Sequence, residues 1–162
     1  MGGVVGRRAS RVPADMRMPS SKQVFVQTLK VHQAVYEATR GLVGHRILLG
    51  MPALMLRTTG RRTGQTRTNA LVYGKDGDRL LVCASNGGHR KPPAWLLNLE
   101  ANPDVEVQVG VRRWPATATA LRPDDPDYER LFAICNKANR GQFAAYRKMT
   151  TRPLPVVVLA RR

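Results

Sequence analysis

The sequence predicts a mainly β fold with inserted helices, arranged as an antiparallel sheet or a small barrel. Three observations carry this. Six short apolar runs of strand length follow one another with few segments long enough to cross over between parallel strands. Two of them are joined across Asp76-Gly77, a dipeptide that favours a tight hairpin between antiparallel strands. The length of 162 residues and the apolar content of 43% suffice for one domain with a real core, and not comfortably for two.

The elements follow in order. Residues 1–19 are basic and glycine-rich, lack the apolar stretch of a signal peptide, and read as a disordered extension with Met16 or Met18 as alternative starts. Ser20 and Ser21 are N-cap types for an amphipathic helix over 21–40, closed by Gly41 or Gly44. Val24, Val31, Val35, Ala38 and Leu42 line one face of it. Such a helix either packs on the core of its own domain, or it touches anionic lipid or covers an active-site mouth. Beyond Gly50-Met-Pro52 the pattern turns to strands, at 53–58, 68–73 and 79–85. A short helix over 93–101 is opened by Pro93 and closed at Asn102-Pro103. Strands over 105–109 and 112–121 come next, the first alternating valines with Glu106 and Gln108. Asp124, Asp125 and Pro126 start a further helix, acidic where the helix dipole favours it, with Tyr128, Leu131, Cys135 and Ala138 as its apolar stripe. Arg140-Gly141 interrupts that helix before a piece carrying Phe143 and Tyr146, and residues 155–159 close the domain of 20–162 as a buried strand.

Composition narrows the chemistry. A net charge of +16 draws anions to the surface and invites nonspecific contact with nucleic acid or membrane. Aromatic residues make up only 6% and are not interleaved with the arginines, which disfavours a nucleic-acid-binding role. Cys83 and Cys135 both lie in apolar or helical runs and read as buried reduced thiols, as in a cytoplasmic protein. His32, His45 and His89 are too scattered for metal-ligand spacing, so no metal site is expected. No apolar run reaches the roughly 18–20 residues of a transmembrane helix.

Two constellations carry the functional signal. In the stretch from Leu56 to Ala70, Arg57, Arg61, Arg62 and Arg67 sit among Gly60, Gly64 and several threonines, and no acidic residue occurs between Ala38 and Lys75. A glycine turn that frees backbone N–H groups, flanked by guanidiniums and hydroxyls, suits a polyanion: nucleic acid, anionic lipid, or a cofactor with a phosphate-bearing tail. The loop is neither a Walker A sequence nor a Rossmann fingerprint, because it lacks the Gly-Lys-Ser/Thr ending and runs from strand to strand. The second constellation is Ala84-Ser-Asn-Gly-Gly-His-Arg-Lys-Pro-Pro-Ala-Trp95. Its glycines let the main chain approach a flat ring, and Trp95 serves as a wall for such a ring, as a core anchor, or as both. Ser85 lies in no nucleophile elbow and has no histidine placed as a base, so a catalytic triad is not supported.

Together, Thr58-Thr-Gly-Arg-Arg-Thr-Gly-Gln-Thr-Arg67, Asp76-Gly-Asp78, Ala84-Ser-Asn-Gly-Gly88, Pro93-Ala-Trp-Leu-Leu-Asn-Leu99, Ala101-Asn-Pro103 and Arg152-Pro-Leu-Pro-Val-Val-Val158 resemble the deazaflavin-dependent nitroreductase family of actinobacteria, over residues 50–160. The resemblance implies an FMN-binding-type split β-barrel with six antiparallel strands. It also implies coenzyme F420, a 5-deazaflavin with a phospholactyl oligoglutamate tail. By similarity Arg61, Arg62 and Thr63 bind the tail and phosphate. Arg67, Thr68, Asn69, Ala70, Leu71 and Val72 run beneath the cofactor. Cys83, Ala84, Ser85 and Asn86, with Ala94, Trp95, Leu96, Leu97 and Asn98, hold the ring and ribityl chain. Arg62 stands where a lysine is common.

The same resemblance implies transfer of hydride from the reduced deazaflavin to a quinone, a nitroaromatic or another conjugated, electron-poor acceptor. Ser85 and Tyr146 are the candidate catalytic residues, the first as hydrogen-bond donor and the second as a retained tyrosine of the acceptor pocket. Phe143, Arg140 and Val72 replace other tyrosines of that pocket, so activation of nitroimidazole drugs does not follow. The helix over 21–40 resembles that of a quinone-reductase branch working at the inner membrane face. Menaquinone as acceptor, a mouth built from Val31, Val35, Phe143 and Met149, and peripheral contact with anionic membrane are the corresponding expectations. Three alternatives stand beside this reading: an FMN-dependent split-barrel reductase, a carrier that binds deazaflavin without turnover, and a nucleic-acid-binding protein.

Overall fold

The computed structural model describes Arg46, Ile47 and residues 50–162. The extension over 1–19 and the amphipathic helix over 21–40, with Val31 and Val35, lie outside the described residues.

Seven strands and three helices make up the rest. Strand β1 (Arg46–Ile47) pairs with β2 (Met51–Thr59), which is followed by β3 (Thr66–Asp76) and β4 (Arg79–Cys83). A short 3-10 turn over Asn86–Gly88 leads to helix α1 (Ala94–Ala101) and then to β5 (Asp104–Val109) and β6 (Arg112–Leu121). Helices α2 (Tyr128–Ala138) and α3 (Gln142–Lys148) precede the last strand, β7 (Val156–Arg161). The sheet order is β1-β2-β3-β4-β7-β6-β5, and β5 returns to pair with β2, through Leu56 opposite Val107. All pairings are antiparallel, so β2 to β7 close into the six-stranded barrel expected from the sequence.

Side-chain alternation sorts the core into two parts. Leu80 and Val82 of β4, with Val157 and Leu159 of β7, point into the barrel beside Leu54, Leu56 and Tyr73. Their neighbours Leu81, Cys83, Val156 and Val158 point outward and are covered by Leu131, Phe132, Cys135 and Phe143. Both faces are buried, which explains why these strands read as unbroken apolar runs. Helix α1 adds Trp95, Leu96 and Leu99 to the barrel interior. Trp95 is 5% exposed and is a core side chain; its ring belongs to the barrel filling.

Helix α2 lies on the outer face of β3. A Cβ at Gly74 would stand 2.8 Å from Ile134 Cγ2, so the absence of a side chain there sets how closely helix and strand approach. At the start of α2, the buried Tyr128 stacks on Phe132 at 5.7 Å between ring centroids and donates from its hydroxyl to Leu154 O at 2.9 Å. Tyr128→Phe leaves that carbonyl without its donor and should cost about 1–2 kcal/mol of unfolding free energy, read as a lower urea midpoint at unchanged m.

Several boundaries differ from the sequence expectation by a few residues, two of them for clear local reasons, and one short strand is added. Strand β7 begins at Val156 and not at Pro155, since proline has no N–H to give to the ladder. Helix α2 begins at Tyr128 because Asp125 and Tyr128 donate their N–H groups to Arg122 O and Asp125 O in turns that precede it. Strand β1 was not anticipated; two residues are too few to show a period. Both cysteines are free and buried, as expected, and burial pushes the Cys135 thiol up to about 12 and the Cys83 thiol up further.

Candidate functional site

The loop between β2 and β3 is a tight turn built by its glycines. Gly64 N–H donates to Gly60 O at 2.7 Å, Gly60 N–H donates to Gln65 O at 2.8 Å, and Gly64 has φ of +67°. A Cβ at Gly60 would sit 3.0 Å from Gln65 O. The turn leaves Arg61, Arg62, Thr63 and Arg67 exposed. Among the described residues none of these three arginines makes an ion pair. Arg57 is different. It lies in β2 and pairs across the barrel with β5, donating to Gln108 Oε1 at 3.0 Å and facing Glu106 Oε1 at 3.5 Å. The lack of local acids left Arg57 looking like a fourth anion-binding cation; the β2–β5 closure supplies its acid from fifty positions along the chain.

Asn98 of α1 ties this loop to the barrel. Its side chain is 4% exposed, accepts from Arg61 N and Arg61 Nη1 at 3.2 Å each, and donates to Thr58 Oγ1 at 3.2 Å. Asn98 therefore positions Arg61 and is closed off from bulk solvent. Its neighbours divide by helix face: Trp95 and Leu96 are buried, Leu97 is half-buried and Ala94 is exposed.

At the other end of α1 lies the turn after β4. Ser85 is 7% exposed, its N–H donates to Cys83 O at 2.9 Å, and its Oγ makes no hydrogen bond among the described residues. Asn86, Gly87 and Gly88 all have positive φ, at 46°, 61° and 76°. This turn closes by Gly88 N–H donating to Ser85 O at 3.0 Å and His89 N–H donating to Asn86 O at 3.1 Å. The N–H groups of Asn86 and Gly87 have no acceptor among the described residues. Asn86 Nδ2 donates to Lys91 O at 2.9 Å, which holds the chain leading to Pro93.

The turn packs on α3. A Cβ at Gly88 would meet Met149 Cβ at 3.2 Å and Tyr146 O at 3.3 Å. Ser85 and Tyr146 thus share one corner of the molecule. Tyr146 is half-buried, donates from its hydroxyl to Gln142 Oε1 at 2.9 Å, and lies 6.3 Å from Phe143 between ring centroids. Phe143 is 6% exposed within the outer cluster, so it underlies this corner, while Met149 is 61% exposed beside it. Strand β3 runs between the two ends, with Thr68, Asn69, Ala70, Leu71 and Val72 all half-buried. Alternation sends Leu71 into the barrel and Thr68, Ala70 and Val72 to the outer face.

Arg152 escaped notice as a functional candidate, although it opens the closing motif. It donates to three backbone carbonyls of the Ser85 turn and to that of its neighbour Pro153, and burial holds its guanidinium below the ordinary arginine value. A single arginine before a proline carries no periodic signal, so only the fold reveals it. A cavity of about 460 Å³, lined by Pro52, Tyr73, Gly74, Ile134, Lys137 and Arg140 among others, opens between the start of β2 and helix α2. Among the described residues no group of three or more His, Cys, Asp or Glu side chains could hold a metal ion, and no helix is long and apolar enough to cross a membrane.

A family model described as F420H(2)-dependent quinone reductase matches residues 28–161. The chain belongs to this family. An F420H(2)-dependent quinone reductase of Mycobacterium tuberculosis (strain H37Rv) is 49% identical over 141 residues, covering 87% of this chain and 95% of that protein. The solved structure of an F420-H2 dependent reductase, FDR-A, is 31% identical with a TM-score of 0.61, over 67% of this chain and 93% of that one. An FAD-binding protein from Mesorhizobium loti, 17% identical with a TM-score of 0.50 over 79% of this chain and 88% of that one, shares the fold alone. The barrel is of the split type found in flavin-binding proteins, and family membership agrees with the quinone-reductase branch of the resemblance.

Proposed function

We propose that this protein is a coenzyme F420-dependent reductase that passes hydride from the reduced deazaflavin to a quinone. The observation that carries the geometric side is the hydrogen-bonded link from Arg61 to Asn98. Through it, one helix of eight residues, about 12 Å long, connects a cation-rich loop with the glycine turn at Ser85. A molecule with a flat ring at one end and an acidic chain at the other fits that layout. The donor set agrees: among the described residues Arg61, Arg62 and Arg67 stand without carboxylate partners, and the Asn86 and Gly87 N–H groups are unclaimed.

In this reading Arg61, Arg62, Arg67 and Thr63 hold the phosphate and glutamate tail, since guanidiniums bind such groups bidentately. Thr68 to Val72 form the floor, and the turn over Ser85 to Gly88 grips the ring edge. When bound, the reduced coenzyme supplies a hydride at its C5 carbon. A quinone that accepts a hydride needs one proton to become a hydroquinone. Tyr146 is the candidate donor, and its hydroxyl must then leave Gln142. Ser85 Oγ, without a partner among the described residues, orients ring or acceptor by a hydrogen bond. The cavity that reaches Arg140, an acceptor position by resemblance, is the candidate approach for the quinone.

Titrating the protein with F420 and with FMN while following tryptophan fluorescence tests the cofactor, and loss of reduced-F420 absorbance with menadione tests turnover. Submicromolar F420 binding, weaker FMN binding and oxidation by quinones are expected. Equal affinity for FMN overturns the cofactor assignment; tight F420 binding without turnover across a quinone panel makes the protein a carrier. Peripheral contact with the inner membrane face belongs to the same proposal, supported by the net charge of +16 and a lipid-soluble acceptor class. Equal sedimentation with neutral and anionic vesicles would remove it.

A further inference from the structure

We infer that Arg152 is a positioning residue for the coenzyme site, one that aims the Asn86 N–H outward at the bound ring; this rests on the function proposed above. The guanidinium donates through Nε to His89 O at 2.8 Å and through Nη2 to Ser85 O at 2.6 Å. Its Nη1 donates to Ala84 O at 3.1 Å and to Pro153 O at 3.0 Å. Four of its five N–H groups are thus used on main-chain carbonyls, and among the described residues no carboxylate pairs with it. A half-buried cation without a counter-ion is costly unless its donors are all matched, and here the carbonyl dipoles take that part.

The geometry of the peptide bond gives the clamp its consequence. Ser85 O and the Asn86 N–H belong to one planar trans peptide unit, so they point in opposite directions. Pinning Ser85 O against Arg152 therefore turns the Asn86 N–H away from the guanidinium, on the side where no acceptor waits among the described residues. Two further effects follow. The charge on Ser85 O polarises the same peptide and strengthens Asn86 N–H as a donor. Asn86, a non-glycine residue with φ of 46°, is held in a conformation the free chain samples uncommonly. The His89 contact fixes the far end of the turn, so Arg152 staples Ala84 to His89 onto the loop before β7. Lysine cannot reproduce this, because a single ammonium does not span four carbonyls in a plane.

The test uses the full-length protein with Arg152→Ala and Arg152→Lys. Backbone amide exchange, measured without coenzyme, should accelerate at least tenfold at Gly88 and His89 in Arg152→Ala, with β2, β3 and β7 unchanged. F420 affinity should fall at least tenfold and return with millimolar ethylguanidinium, but not with ethylammonium. Arg152→Lys should fall between wild type and alanine in both readouts, and it carries the test if the alanine variant does not fold. In the wild-type protein, bound F420 should protect the Asn86 amide. Unchanged exchange in the turn, unchanged affinity, or faster exchange spread over the whole barrel without chemical rescue overturns the inference. Failure of the wild type to bind F420 removes the functional reading instead, while the exchange result still decides whether Arg152 organises the turn.

Discussion

Replacing Arg61 and Arg62 together with alanine weakens F420 binding by about 100-fold or more and leaves thermal stability nearly unchanged. Both residues are exposed and carry no ion pair among the described residues, and the Arg61 main-chain N–H still serves Asn98 Oδ1 when its guanidinium is gone, so the barrel loses little. In the proposed tail site each would contribute a charge-assisted hydrogen bond to the anionic tail, worth about 1.5 kcal/mol at the low end appropriate to exposed groups. Two such losses make about 3 kcal/mol, or about two decades in Kd. The measurement is a fluorescence titration at two salt concentrations. Wild-type affinity should also drop with salt, and the double variant should lose most of that dependence. If affinity persists after the substitution, the acidic tail lies elsewhere.

Gly88→Ala should strike the proposed catalytic corner without touching the proposed tail site. A side chain at φ of +76° costs about 1–2 kcal/mol by itself. Its Cβ would also press on Met149 Cβ at 3.2 Å and on Tyr146 Cα at 3.4 Å, so α3 must give way. Turnover is expected to fall by tenfold or more as Tyr146 shifts, with stability lowered by about 2 kcal/mol. Gly87→Ala is the matched comparison. It has φ of +61° but nothing within 4 Å of the added Cβ, so it bears the backbone cost alone. Equal kcat in the two variants would argue against the placement of Tyr146 at the reacting centre.

The barrel strands were legible because their period and turn chemistry are local. Asp76-Gly77 announces the β3–β4 hairpin, and Gly77 indeed takes φ of +60° there. The apolar runs of β4 and β7 announce burial on both faces. What the pattern did not reveal was partnership at long range. Arg57 reads like its neighbours Arg61 and Arg62, yet the register that sets Arg57 opposite Glu106 makes it a structural cation of the barrel wall. Trp95 reads equally as a wall for a ring or as core, and only the docking of α1 across the barrel sends it inward. The motif marks Asn98 only as a cofactor-binding position by resemblance, while its burial and its bonds to Arg61 and Thr58 emerge from that docking.

By itself the sequence determined the fold class, the antiparallel hairpins, the arginine-rich loop at Gly60 to Gly64 and the resemblance to an F420-using family. Those features live in composition, short-range turns and contiguous motifs. The tertiary structure alone decided which cations remain available to a ligand, which side of α1 is core, and that Arg152 reaches back over more than sixty residues to the Ser85 turn. The physical reason is that barrel closure and helix docking bring together groups whose separation along the chain leaves no periodic trace, and hydrogen bonds are settled by that proximity.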